Sequence, residues 1–66
     1  MRILLNGTPK EIPEGIKLSA LIERLDLSNR RLAIEVNEEL VPRSQFAEYL
    51  LSPEDRVEII QAVGGG

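Results

Sequence analysis

The sequence closes on Arg56-Val57-Glu58-Ile59-Ile60-Gln61-Ala62-Val63-Gly64-Gly65-Gly66, and this stretch decides how the rest is arranged. Val57, Ile59 and Gln61 alternate with Glu58, Ile60 and Ala62, the period of a strand whose two faces differ. The strand reads from Arg56 to Val63 and then gives way to glycine. The opening stretch Met1-Arg2-Ile3-Leu4-Leu5 alternates in the same way, with Met1, Ile3 and Leu5 on one face. A long crossover separates the two, which is what a parallel pair requires. The last strand is therefore expected in the middle of the sheet, parallel to the first.

Working inward, Asn6-Gly7 is a strong two-residue hairpin signal, because both residues tolerate positive φ. A short second strand runs from Thr8 to Ile12, and Pro9 marks it as an edge. Pro13-Glu14-Gly15 is a turn. Leu18, Leu21, Ile22 and Leu25 form one stripe of an amphipathic helix, which Ser28-Asn29 end. Ser19 either caps this helix or lies in its first turn. Leu32, Ile34 and Val36 alternate with Ala33, Glu35 and Asn37 as a half-buried strand. Asn37-Glu38-Glu39 turns the chain into the brief strand Leu40-Val41-Pro42. Arg43 to Leu51 reads as short helical turns that put Phe46 and Leu50 under the sheet, and Pro53-Glu54-Asp55 is a further turn. One helix must then cover one face of a mixed sheet, an α+β arrangement of the β-grasp type. The domain is expected over residues 1–63, with residues 64–66 as a flexible glycine tail.

Composition excludes more than it includes. The 66 residues suffice for one domain, with 42% hydrophobic and 29% charged residues. A chain of this size has no room for a deep enclosed pocket. It contains no Cys and no His. That removes disulfides, thiol nucleophiles, thiolate metal sites and the usual general base. The net charge is −3 and the eight Lys and Arg residues are scattered among eleven acids. Nucleic acid, which demands a basic face, is a poor partner for such a chain. Its N-terminus turns polar too early for a signal peptide, and no apolar run approaches the ~20 residues of a bilayer span. The chain reads as cytoplasmic, with no membrane contact.

The tail is the chemical candidate. Glycine lacks a Cβ, so Gly64 and Gly65 suit passage through a narrow channel in a partner enzyme. The carboxylate of Gly66 is then exposed for activation. A carboxylate becomes a good electrophile once adenylation supplies a leaving group, and a sulfur nucleophile can displace AMP. A carrier without a thiol must hold sulfur elsewhere, and the terminal acyl carbon is the remaining option.

Three segments together resemble the ThiS family, the ubiquitin-like sulfur carriers of thiamine biosynthesis. They are Ile3-Leu4-Leu5-Asn6-Gly7, the run Ala33-Ile34-Glu35-Val36-Asn37-Glu38-Glu39-Leu40-Val41-Pro42-Arg43, and Asp55-Arg56-Val57-Glu58-Ile59 through Val63-Gly64-Gly65-Gly66. The sequence departs from the family where Glu54-Asp55 replaces a common Gly-Asp and where no Trp stands near Phe46. The resemblance implies a non-catalytic carrier with no cofactor of its own. A ThiF-like enzyme would adenylate Gly66 with ATP and Mg, sulfur from a cysteine desulfurase would convert it to a thiocarboxylate, and thiazole synthase (ThiG) would accept that sulfur. The related carrier of molybdopterin synthesis and a ubiquitin-like modifier of lysines share the tail and stand as alternatives. A plain interaction domain, which would work without the tail, is the remaining one.

Other candidates are weaker. Glu35 and Glu58 are expected to share the open face of the sheet, but without a nucleophile or pocket they read as a solvated surface, as do Glu38 and Glu39. Phe46 and Tyr49 read as packing. Arg43 is a candidate partner contact. The period-two count also places Leu4, Ala33, Ile60 and Ala62 on the open face, an expected apolar patch leading toward the tail and suited to protein binding.

Overall fold

Alternating apolar residues build the sheet in the order the sequence suggests. The computed structural model describes residues 1–61, so the expectations for Ala62, Val63 and Gly64-Gly65-Gly66 lie outside the described residues. Its strands are β1 (Arg2–Leu5), β2 (Thr8–Glu11), β3 (Leu32–Val36), β4 (Glu39–Val41) and β5 (Arg56–Gln61). One helix, α1 (Leu18–Arg24), and a 3-10 turn at Arg43–Gln45 complete the described elements. The sheet order is β2-β1-β5-β3-β4. β5 lies in the middle, parallel to β1 and antiparallel to β3.

Both hairpins close with two residues at positive φ, the geometry whose twist matches paired strands. Asn6 and Gly7 have φ of 49° and 83°, between the paired residues Leu5 and Thr8. Asn37 and Glu38 have φ of 53° and 71°, between Val36 and Glu39.

The covered face of the sheet contributes Ile3, Ile34, Val36 and Val57 to the core, and α1 contributes Leu18, Leu21 and Ile22. Ile12, Ile16, Val41, Phe46 and Leu51 close its margins. Burial of each such side chain stabilises the fold by about 1.5–3 kcal/mol. Gln61 keeps the alternation opposite Leu32 but is exposed at the end of the sheet.

α1 begins without a side-chain cap. Its first amides, of Leu18 and Ser19, instead donate to the carbonyls of Tyr49 and Phe46, each at 2.9 Å. A distant segment thus satisfies the orphan donors of the helix start, and Ser19 lies in the first turn. The helix stops earlier than Ser28-Asn29. Asp26 adopts φ of 61°, the amide of Leu27 reaches the Ile22 carbonyl and that of Asp26 reaches Glu23, each at 3.0 Å. This is a Schellman closure with Asp where glycine is usual.

One packing expectation is inverted. Leu50 is 56% exposed and Leu51 is buried. The cause is an isolated bridge between Leu50 and Lys17, with the Leu51 amide donating to the Ile16 carbonyl at 3.0 Å. That short pairing has a strand's alternation, so Leu50 and Lys17 point outward while Ile16 and Leu51 point inward.

Candidate functional site

β5 ends at Gln61, the last described residue before the glycine ending, so the contacts that fix β5 come first. Two asparagines hold it beyond the regular ladders. The Asn6 amide donates to the Val57 carbonyl at 2.8 Å, and the Asn6 side-chain oxygen accepts from the Ile59 amide at 2.8 Å. On the other flank the Asn37 amide donates to Arg56 O at 2.8 Å, and Asn37 Oδ1 accepts from the Arg56 amide at 3.0 Å. Asn37 Nδ2 also donates to Asp55 Oδ1 at 3.0 Å, and Asp55 Oδ2 accepts from the Ser52 amide at 2.8 Å. Sequence reasoning gave both asparagines to turns, and Asn37 also to the end of its strand, but neither to the last strand. The signal was present: each opens a tight turn after a strand expected to flank the last one, where a side-chain amide can continue a ladder.

The open face is set by register. Ala33 lies directly opposite Ile60, and Glu35 directly opposite both Glu58 and Leu40. Ile60 and Leu40 are 55% and 67% exposed, and Ala33 is exposed as well. Leu40 was not singled out by the sequence, although its pairing with Glu35 puts it on this face. Leu4 is a correction. It pairs with Arg56, four residues before Ile60, and is half-buried. At about 3.3 Å per residue it stands roughly 13 Å along the sheet from Ile60. The apolar patch is therefore the Ala33–Ile60 pair with Leu40 diagonal to it, rimmed by Glu35 and Glu58, and Leu4 is not part of it. Ala62 lies outside the described residues.

Arg43 is on the other side of the molecule. Its guanidinium stands 5.9 Å from the centre of the Phe46 ring and donates to the Arg30 carbonyl at 3.2 Å. The structure does not bring it together with Ala33 and Ile60.

Among the described residues no buried side chain is polar or charged, and no group of three acids could hold a metal. The Arg2 guanidinium is held above its ordinary pKa by a hydrogen bond and ion pair with Glu54, at 2.9 Å, on the exposed surface. Glu54 itself sits at φ of 67°, the backbone conformation that a glycine would adopt without strain. No helix among the described residues is long and apolar enough to cross a membrane.

A five-stranded mixed sheet with a central, parallel last strand and one covering helix defines a ubiquitin-like β-grasp domain. The chain belongs to the ThiS family, whose sequence model matches residues 3–66. It is 30% identical to the sulfur carrier protein ThiS of Escherichia coli strain K12, across the whole of both chains. It is 41% identical over 64 residues to an uncharacterized protein, ycf40, of Porphyra purpurea, covering 97% of this chain and 90% of that one. A thiazole synthase of Paramagnetospirillum magneticum is 32% identical over all of this chain, which spans only 20% of that protein. The crystal structure of the thiamine biosynthesis protein ThiS from Geobacter metallireducens superposes with a TM-score of 0.86 at 26% identity, each chain fully covered. The chain is thus a small sulfur carrier of thiamine biosynthesis, a carrier rather than a catalyst.

Proposed function

We propose that sulfur is carried on the terminal carboxyl group of Gly66, activated by adenylation and converted to a thiocarboxylate. The family match extending through Gly64-Gly65-Gly66 carries this reading. A ThiF-like enzyme, using ATP and Mg, transfers AMP to the carboxylate and releases pyrophosphate. The terminal sulfur of a cysteine desulfurase persulfide then displaces AMP, giving an acyl disulfide. A second thiol takes the donor sulfur into an ordinary disulfide and leaves the thiocarboxylate. Thiazole synthase, in the cytoplasm, accepts that sulfur. Thiazole synthases that contain a stretch similar to this whole chain support the last pairing. Ala33, Ile60 and Leu40 offer the activating enzyme an apolar footing on the open face.

Removing Gly65-Gly66 tests the reading. ATP–pyrophosphate exchange with the activating enzyme should vanish while the melting curve stays in place. Withdrawal of the carboxylate by roughly 7 Å far exceeds the ~1 Å displacement that can cost about a hundredfold in rate. Intact mass after incubation with ATP and a sulfur source should show one oxygen replaced by sulfur. Exchange at the full rate by the truncated chain would sink the proposal. Ile60→Glu should retain the circular dichroism of the fold yet weaken binding to the activating enzyme, since the side chain already faces outward.

A further inference from the structure

Between α1 and the segment after β4 runs a half-open cleft of about 360 Å³. Ile22 and Phe46, both buried, and the half-buried Leu27 and Leu32 give it apolar walls. Arg30 and Arg43 stand on its rim. Arg43 uses one donor on the Arg30 carbonyl and lies over Phe46, although a guanidinium carries five donors. Glu23 is the one carboxylate on the rim, and neither arginine has an acid within ion-pair distance among the described residues. Two arginines therefore stand together over an apolar hollow in a chain whose net charge is −3.

The geometry points to an acidic segment of a partner protein as the occupant, with an aromatic or leucine side chain in the hollow and a neighbouring carboxylate on Arg30 and Arg43. Charge complementarity requires the carboxylate, because guanidinium forks bind it bidentately. The half-open shape selects a protein segment over a free acid. Small ligands are held by sites that enclose most of their surface, whereas an anchor side chain is supported by its own backbone. The position agrees, since Leu32 in the cleft pairs with Gln61, the last described residue before the tail. A protein that contacts the described end of β5 is thus close enough to reach the cleft. As a partner contact it rests on the carrier reading, but its test uses neither ATP nor an activating enzyme and so succeeds or fails separately from adenylation.

The test is amide NMR of the full chain, titrated with the capped peptide Ac-Glu-Phe-Asp-NH2, with its neutral counterpart Ac-Gln-Phe-Asn-NH2, and with phenylacetate. Saturable shifts at Ile22, Leu27, Leu32 and Ala47 are expected for the acidic peptide. The neutral peptide should bind about tenfold more weakly, the scale of a lost charged hydrogen bond. Arg43→Gln and Arg30→Gln should each reduce acidic-peptide binding several-fold while leaving the neutral peptide unchanged. Ile60→Glu and removal of Gly65-Gly66, which impair the activation step, should leave the peptide titration as it is. Absence of saturable shifts, shifts on the open face instead, or equal binding of the two peptides overturns the inference. Phenylacetate binding as tightly as the acidic peptide also overturns it, in favour of a free acid.

Discussion

The Asn6-Gly7 and Asn37-Glu38 turns have nearly the same backbone and different obligations. Both place an asparagine and a second residue at positive φ between paired strands. Both asparagines lend a side-chain oxygen to an amide of β5, Asn6 to Ile59 and Asn37 to Arg56. They differ in two respects. Asn37 is also tied through Asp55 to the loop before β5, whereas among the described residues the Asn6 side-chain amide reaches only the Ile59 carbonyl, at 3.4 Å. The second residue is glycine in one turn and glutamate in the other. The first turn thus holds the end of β5 nearest the tail with a relaxed backbone. The second holds its start with a strained backbone and a denser network. Nearly the same turn geometry therefore supports the two ends of one strand in different ways.

Four substitutions break or sharpen this contrast. Asn37→Ala should have the largest effect, lowering stability by about 2 kcal/mol through lost hydrogen bonds and a residue ill suited to positive φ. That is a large share of the roughly 3–5 kcal/mol expected of a domain this small, and urea unfolding measures it. Asn6→Ala should cost less, about 1–1.5 kcal/mol, yet harm function more for each unit of stability lost. Hydrogen exchange should speed up at the Ile59 amide, and exchange of ATP with pyrophosphate should slow, while Asn37→Ala instead exposes the Arg56 amide. Equal functional loss from the two at matched stability would show that Asn6 has no special tie to the tail.

The smallest effects concern the second turn position. Glu38→Gly should raise stability by about 0.5–1 kcal/mol, since glycine adopts positive φ without strain. Gly7→Ala should lower it by about 1 kcal/mol. Nothing lies within 4 Å of a Cβ added at Gly7, so that cost is conformational and not steric. Differential scanning calorimetry of both variants checks the pair. A destabilised Glu38→Gly would mean that the glutamate side chain contributes something the turn geometry does not reveal.

The sequence by itself determined what depends on neighbours along the chain. Alternation assigned the faces of β1, β3 and β5, Asn6-Gly7 announced its hairpin, and the long crossover allowed β5 to pair parallel with β1. The absence of Cys and His and the glycine ending directed attention to the tail, and the ThiS resemblance agreed with the family match. What the tertiary structure decided involves partners distant in sequence. Register separated Leu4 from Ile60 and brought Leu40 beside Glu35. Carbonyls of Phe46 and Tyr49 started α1 without a cap, and Asp26 ended it before Ser28-Asn29. The bridge to Lys17 turned Leu50 outward in favour of Leu51, and the packing over Phe46 carried Arg43 away from the open face. The physical reason is that period and propensity are local, whereas register and the satisfaction of backbone hydrogen bonds are settled only when remote segments meet.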